Sequence, residues 1–326
     1  MGPGLVYSYQ PDAPRSLQNR IDSISYTKNK ITNRTGGPEI RFSARYKTGT
    51  SSSVKVSYTK MNQYLHILSN TTAISPTDIW KVSGPNLPAQ KSRQYSAGFY
   101  KDLASNTLEA SLEVYYKTSD HILEYRGGTE LMLNPDIEID LLEGIGKAYG
   151  AEILFRKKHG ALNGWASYTY SRSLIKVDSK YLVNQINQGE YFPSNYDKPH
   201  DFTLVTNYRF SRIHSFSSTI KYSTGRPITY PVAKYRFRER ELIHYSNRNE
   251  YRIPDYFRWD VSVNIEGNLK KKKLFRDSIS LSIYNLTGRD NIYSIFFVSD
   301  ETKRVKGYKL SVFSVPIASV TYNLRF

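Results

Sequence analysis

The chain has 326 residues, with 46 Lys and Arg against 29 Asp and Glu, a net charge of +17 at pH 7, and no cysteine. Lack of cysteine excludes a disulfide framework, a thiolate metal site and a cysteine nucleophile, and no run of about 18 apolar residues is present to cross a membrane as a helix. The positive charge is spread along the sequence and not gathered in one patch, which argues against nucleic acid and fits an anionic membrane surface or an anionic ligand.

Mean hydropathy is negative, yet the chain carries 28 Tyr and 14 Phe. That combination suits strands with one apolar and one polar face, as in a membrane barrel where about half of each strand meets lipid. The opening Met1-Gly-Pro-Gly-Leu-Val-Tyr7 has no charged or apolar leader region, so no signal peptide is expected there.

Taken in order, Leu5 to Tyr9 reads as a short strand. Ile40, Phe42, Ala44 and Tyr46 alternate with Arg41, Ser43, Arg45 and Lys47, and a turn at Thr48-Gly-Thr50 leads back through Val54, Val56 and Tyr58. An irregular stretch is expected from about Asn62 to Arg93. Tyr95 to Phe99 and Leu108 to Tyr116 form the next pair, followed by a long segment to about Gly144 in which Asp136 to Glu143 is expected to make a helical turn or two. Tyr149 to Phe155 and Gly164 to Tyr170 flank a turn at His159-Gly160. Phe202 to Phe210 and Phe216 to Tyr222 flank Ser211 to His214. A basic, aromatic loop runs from Gly225 to about Asp255. Phe257 to Ile265 and Ile279 to Ile283 flank the lysine-rich turn Lys270 to Lys273. After a last long loop, Val320, Tyr322, Leu324 and Phe326 alternate with Ser319, Thr321, Asn323 and Arg325.

This predicts an all-β chain of about twelve strands, each about 8 to 12 residues, a length that spans a bilayer when tilted. Short and long connections alternate strictly. Outer-membrane barrels segregate loops in this way, with short turns on the periplasmic side and long loops outside. The expected architecture is an antiparallel transmembrane β-barrel segment with no second domain in residues 1–326.

Several stretches carry a family resemblance. They include Gln63-Tyr-Leu-His-Ile-Leu-Ser69 with Ser75-Pro-Thr-Asp-Ile-Trp80, Gly146-Lys-Ala-Tyr-Gly-Ala-Glu152, and Tyr191-Phe-Pro-Ser-Asn-Tyr-Asp-Lys-Pro-His-Asp201. Tyr222-Ser-Thr-Gly-Arg-Pro-Ile-Thr229, Arg252-Ile-Pro-Asp-Tyr-Phe-Arg-Trp-Asp-Val-Ser262 and Ser282-Ile-Tyr-Asn-Leu286 follow. In order and spacing the chain resembles the C-terminal part of the barrel of TonB-dependent outer-membrane receptors. The resemblance implies the second half of a 22-stranded, plugged barrel, integral to the Gram-negative outer membrane, with plug, TonB-contacting segment and signal peptide lying upstream. It implies a receptor or transporter, not an enzyme, that takes up a scarce nutrient such as an iron chelate, cobalamin or an oligosaccharide. Implied partners are the TonB complex and plug, the outer-membrane assembly machinery, lipopolysaccharide or other outer-membrane lipid, and a nutrient ligand. No nucleic acid and no cofactor are expected. A half-barrel has two open strand edges, which lipid does not tolerate.

Two alternatives fit parts of the pattern. A free-standing small porin or adhesin barrel requires Leu5 to Tyr9 to pair with Ser319 to Phe326. A soluble β-rich carbohydrate-binding module or enzyme requires the apolar faces to be buried inside.

Among single features, Tyr322, Leu324 and Phe326 resemble the C-terminal signal read by the assembly machinery. Tyr235, Arg236, Phe237, Arg238, Arg240, Tyr245 and Arg248 mix cations and aromatics in one long loop and are candidate contacts for an anionic or stacking ligand. Asp197, His200 and Asp201 lack the spacing of a metal motif and read as hydrogen bonding at a strand mouth. Glu109, Glu113, Glu152, Arg258 and Asp260 read as a charged lumen face. Gly225 with Pro227 lacks the P-loop pattern and reads as a loop exit. No catalytic or metal-binding residue is assigned.

Overall fold

A computed structural model describes residues 5–8, 22–25, 31, 33–68, 79–104, 106–126, 137–237, 240–267, 276–299 and 305–325. Eleven strands form one antiparallel meander: β1 (Ile40–Lys47), β2 (Ser52–Gln63), β3 (Gln90–Leu103), β4 (Leu108–Tyr125), β5 (Leu141–Lys157), β6 (Leu162–Lys176), β7 (His200–Arg209), β8 (His214–Ser223), β9 (Tyr256–Glu266), β10 (Arg276–Tyr284) and β11 (Ile317–Arg325). Each pairs with its neighbours in sequence, and the two-residue strand Phe192–Pro193, added to β6, makes the sheet twelve-stranded. Among the described residues there is no α-helix.

The register explains why this sequence forms this sheet. Phe42, Tyr58, Tyr95, Tyr116 and Tyr149 lie in one row across β1 to β5. Farther along, Ile265 faces Ile279, which faces Tyr322, and Val263 faces Leu281, which faces Val320. Side chains alternate faces with a period of two, so one face is apolar across all eleven strands. That face is bare: Val320 is 73 % exposed, and Phe42, Tyr95, Phe99, Leu112 and Val114 are exposed with it. A soluble sheet covers its apolar face, and a contiguous patch beyond a few hundred Å² marks an interaction surface. Here the surface runs the width of the sheet and fits lipid.

The opposite face is polar, and short side chains there bond across strands. Ser217 donates to Asn207 at 2.7 Å, Ser280 to Asn264 at 2.8 Å, and Ser282 to Ser262 at 2.9 Å. The buried apolar cluster of Leu142, Ile175, Val177, Ile186 and Phe192 instead lies at the long-loop end of β5 and β6, where 177–199 folds back on the strands.

Connections at one end are short: 48–51, 104–107, 158–161, 210–213 and 267–275. Left-handed backbone at Ala104 (φ 49°) and Asn106 (φ 70°) tightens the second of these. Connections at the other end span 64–89, 126–140, 177–199, 224–255 and 285–316. An eleven-residue strand tilted about 45° crosses about 26 Å. β4, β5 and β6, with 18, 17 and 15 residues, are longer than the expected 8 to 12 and rise past the membrane on the long-loop side. The irregular segment before Gly144 is correspondingly shorter than the sequence suggests.

Other expectations are corrected. Of Asp136 to Glu143, only Ile137–Asp140 is helical, as a 3-10 turn; Leu141 onward pairs with β4, and Asp136 lies outside the described residues. The long loops are not irregular. Leu65–Leu68 pairs with Ile79–Val82, Pro231–Phe237 with Arg240–Tyr245, Pro227–Ile228 with Tyr251–Arg252, and Ile292–Ser299 with Val305–Ser311.

The small-barrel alternative loses its seam. Leu5–Ser8 pairs with Asp22–Ser25, in a sheet of its own, and β11 pairs with β10. Being first and last of eleven antiparallel strands, β1 and β11 run in the same direction, so pairing them directly gives a parallel seam. Tyr9, Lys270 to Lys273 and Phe326 lie outside the described residues.

Candidate functional site

On the long-loop side, the tops of β4 to β6 and the loop hairpins border an open cavity of about 1460 Å³. Three polar clasps tie the surrounding loops and strand ends together. In the first, Arg248 donates to the Glu124 carboxylate at 3.0 Å and to the Tyr125 carbonyl at 2.9 Å. Asn187 brackets the same residue, accepting from the Arg248 N–H at 2.7 Å and donating to its carbonyl at 3.0 Å. Burial pushes the Glu124 carboxyl above the ordinary glutamate value, and Arg248 opposes that shift. In the second, Asn249 donates to the Pro193 carbonyl at 2.8 Å and to Asn195 at 2.9 Å.

The third centres on Asp197, whose side chain is fully buried. It accepts from the Ser173 N–H at 2.7 Å, from Arg172 at 3.2 Å and from Arg252. Arg252 also donates to the Gly225 carbonyl at 2.9 Å. Beside it, Asp255 accepts from the Gly225 N–H at 2.9 Å and the Tyr222 hydroxyl at 2.7 Å. Those two bonds hold its carboxyl below the ordinary aspartate value. His200 bonds the Tyr168 hydroxyl at 2.8 Å, so this region is a strand mouth joined by hydrogen bonds, with Gly225 at a loop exit. Among the described residues no His, Asp or Glu cluster has the form of a metal site.

The cavity lining holds the cations Lys117, Arg126, Lys147, Arg226 and Arg248, but among the described residues Glu124 is its one carboxylate. Lys117 and Arg226 make no ion pair among the described residues, and Arg226 donates to the Tyr293 carbonyl and the Ser294 hydroxyl at 3.2 and 2.9 Å. Of the seven residues expected to contact ligand, Tyr245 and Arg248 line the cavity, and Tyr235 is exposed on its hairpin. Arg236, Phe237 and Arg240 fall in the paired strands of the same hairpin, while Arg238 lies outside the described residues. Arg248 is engaged by Glu124. The sequence gives no sign of Lys117 or Arg226 as lining residues, because their place depends on how far β4 rises and where the 292–311 hairpin folds. On the polar face Glu109 meets Lys158 at 3.3 Å and Arg258 meets Asp260 at 3.0 Å, while Glu113 and Glu152 sit directly opposite each other.

A bare apolar sheet face, a polar reverse face and loops segregated by length define an outer-membrane β-barrel wall. Residues 7–286 match the family model of the TonB-dependent receptor-like β-barrel. The chain belongs to the TonB-dependent receptor family, whose members are integral to the Gram-negative outer membrane and are receptors and transporters, not enzymes.

Three solved structures share the fold. The ferric-catecholate import receptor Fiu from K12 E. coli is 14 % identical, matched over 99 % of this chain and 40 % of its own, with a TM-score of 0.57. The siderophore receptor PiuA from Acinetobacter baumannii is 14 % identical over 88 % of this chain and 36 % of its own, with a TM-score of 0.56. The FrpB iron transporter from Neisseria meningitidis is 14 % identical over 87 % and 39 %, with a TM-score of 0.54. The chain thus spans 40 % or less of each of these proteins. A search of curated proteins returned no match.

Proposed function

We propose that residues 1–326 form the C-terminal portion of the barrel wall and part of the outer vestibule of a receptor for energised nutrient uptake. In this reading the TonB complex supplies the energy, and a plug contributed by the rest of the receptor fills the lumen. The observation that carries it is the cavity on the long-loop side, placed where a ligand arrives from outside. Its excess of cations over carboxylates favours an anionic cargo, and among iron chelates, cobalamin and oligosaccharides this points to an anionic ferric chelate. The description of Fiu as a ferric-catecholate importer supports the same choice.

The test is calorimetric titration of the full-length receptor in detergent with a ferric catecholate, a neutral ferric hydroxamate, cobalamin and a neutral oligosaccharide. The expected result is tightest binding of the ferric catecholate, weakened about tenfold by Lys117→Gln, consistent with loss of one charge contact of about 1.4 kcal/mol. Tightest binding of the oligosaccharide, unaffected by Lys117→Gln, would overturn the choice of cargo. Uptake that persists after collapse of the proton gradient would overturn energised transport.

A further inference from the structure

The short-turn end of the sheet carries a cleft of its own, far from the cargo cavity. The turns 158–161 and 210–213 lie side by side because β6 pairs with β7, and the Arg209 N–H donates to the Ala161 carbonyl at 2.7 Å. Between them Gly160, Ala161, Arg209, Phe210, Ser211 and Arg212 line an open cleft of about 410 Å³.

Local sequence sets the shape of this cleft. Gly160 is left-handed (φ 107°) and leaves one wall without a side chain. The Ser211 hydroxyl accepts from the Ile213 N–H at 3.3 Å and the His214 N–H at 3.0 Å, and bonds the His214 ring at 2.9 Å. Those bonds fix the turn that carries Arg212. Phe210 is half exposed and stacks on the same ring, with centroids 5.6 Å apart and planes 12° from parallel. The result is a flat aromatic shelf beside two guanidinium groups.

Both guanidinium groups are open to an anion from outside. Arg212 is exposed and makes no ion pair among the described residues. Arg209 reaches Glu266 only at 3.9 Å with both side chains exposed, and a contact of that kind contributes little. Asp102 and Glu109, which flank the preceding turn, are engaged by Lys158 at 3.6 and 3.3 Å. Exposed Arg156 and Lys157 add to the positive charge beside the cleft. Arg209 follows Asn207 on the polar face, and Arg212 lies beyond the strand ends, so neither belongs to the lipid-facing row of Tyr208.

We propose that this cleft binds the cell-wall polymer of the periplasm, a glycan whose sugars carry carboxylate-bearing peptide stems. The short turns of outer-membrane barrels face the periplasm. A stem carboxylate would be held by Arg209 and Arg212, since guanidinium groups grip carboxylates through paired N–H donors. The apolar face of a sugar ring would lie on Phe210. The combination selects this ligand. An acidic protein segment needs the arginines but not the shelf, and a lipid phosphate needs cations on the outward row. The site is independent of the nature of the cargo.

The experiment is calorimetric titration of the full-length receptor in detergent with four probes: a soluble disaccharide–tetrapeptide released from the wall, neutral chitotriose, hexaglutamate and short-chain phosphatidylglycerol. A heat-modifiable gel shift confirms that each variant is folded. The disaccharide–tetrapeptide should bind about tenfold or more tighter than any other probe. Arg209→Gln with Arg212→Gln should abolish that preference, and Arg212→Gln alone serves if the double variant does not fold. Phe210→Ala should weaken the disaccharide–tetrapeptide about fivefold and leave hexaglutamate unchanged. Lys47→Gln, which removes an exposed charge beside another short turn, should keep the preference. The proposal is overturned if the disaccharide–tetrapeptide does not bind, or if any other probe binds as tightly. It is equally overturned if the folded arginine variant or Phe210→Ala binds as wild type does, or if Lys47→Gln loses as much as the arginine variant.

Discussion

Asp197 and Arg252 join two long loops through one buried carboxylate. Arg252 donates both to the Asp197 side chain and, at 2.6 Å, to its carbonyl, although 55 residues separate them in sequence. Arg172 on β6 completes the set, so the strand mouth and both loops share one ion network. Asp197→Asn leaves two guanidinium groups facing a neutral amide. Breaking a buried pair on one side costs about 3 kcal/mol or more. The heat-modifiable transition of the folded receptor should therefore fall by several degrees, and loops 177–199 and 224–255 should become protease-sensitive together. Because the residues share a network, Asp197→Asn with Arg252→Gln should cost less than the sum of the single changes. Strict additivity would mean that the clasp is not the coupling element.

Gly225 tests the same junction by sterics. A Cβ there would lie 1.7 Å from the Ile253 carbonyl oxygen, a backbone atom that cannot swing aside. Gly225→Ala should cost about 3 kcal/mol, the upper end of ordinary overpacking, and should release the Asp255 and Arg252 bonds to this residue. Hydrogen exchange across 224–255 measures it. Wild-type protection in the variant would show that the two segments do not approach this closely in the membrane.

Two carboxyls in the loop region should respond to pH with opposite sign. Asp255 has a lowered value, from the Gly225 N–H first and the Tyr222 hydroxyl second. Its contribution to loop stability is therefore complete above the ordinary aspartate value, about 3.9, and is lost as pH falls through the lowered folded value. Glu124 is raised by burial. Its contribution is complete below the ordinary glutamate value, about 4.3, and is lost as pH rises through the raised folded value. Exchange rates between pH 3 and 7 should show 224–255 opening at the acid end in wild type, with that dependence absent in Asp255→Asn. Glu124→Gln should remove the opposite dependence from the contact between 187 and 248. The same sign at both sites would refute this account.

The wall was legible in the sequence because alternation, strand length and loop parity are local and reinforce one another. Tyr58, Tyr95 and Tyr116 each mark a strand before any register is known. The vestibule was less legible. Ile292-Tyr-Ser-Ile-Phe-Phe-Val298 is apolar without alternation, so its hairpin was hidden inside a long loop. Arg248 stood out as a cation among aromatics, but its partner Glu124 is 124 residues away. A contact at that range depends on how far β4 and β5 rise above the membrane, and strand periodicity does not report that height.

The terminal strand offers a test of orientation. Val320 faces Leu281 on the outward side, while Thr321 faces Ser280 on the polar side. A charge at a lipid-facing site near the bilayer centre costs about 2–4 kcal/mol, whereas lumen positions tolerate it. Val320→Arg should lower the fraction of heat-modifiable receptor sharply, and Thr321→Arg should leave it near wild type. Equal effects would reverse the assignment of the two faces.

The same strand is proposed to carry the assembly signal, with Tyr322 and Leu324 exposed on its outward face and Phe326 following them in the sequence. If these aromatic and aliphatic side chains are read before insertion, changing them should act on assembly and not on the stability of receptor already inserted. Tyr322→Ala combined with deletion of Phe326 should reduce the outer-membrane amount several-fold and raise the periplasmic pool, while the fraction that inserts keeps its heat-modifiable transition within a degree or two. Ile279→Ala, which removes the side chain opposite Tyr322, separates the two roles: it should lower the transition temperature of inserted receptor with little effect on its amount. If the terminal changes lower the transition temperature as Ile279→Ala does, and leave delivery unchanged, the strand's end serves packing and carries no signal.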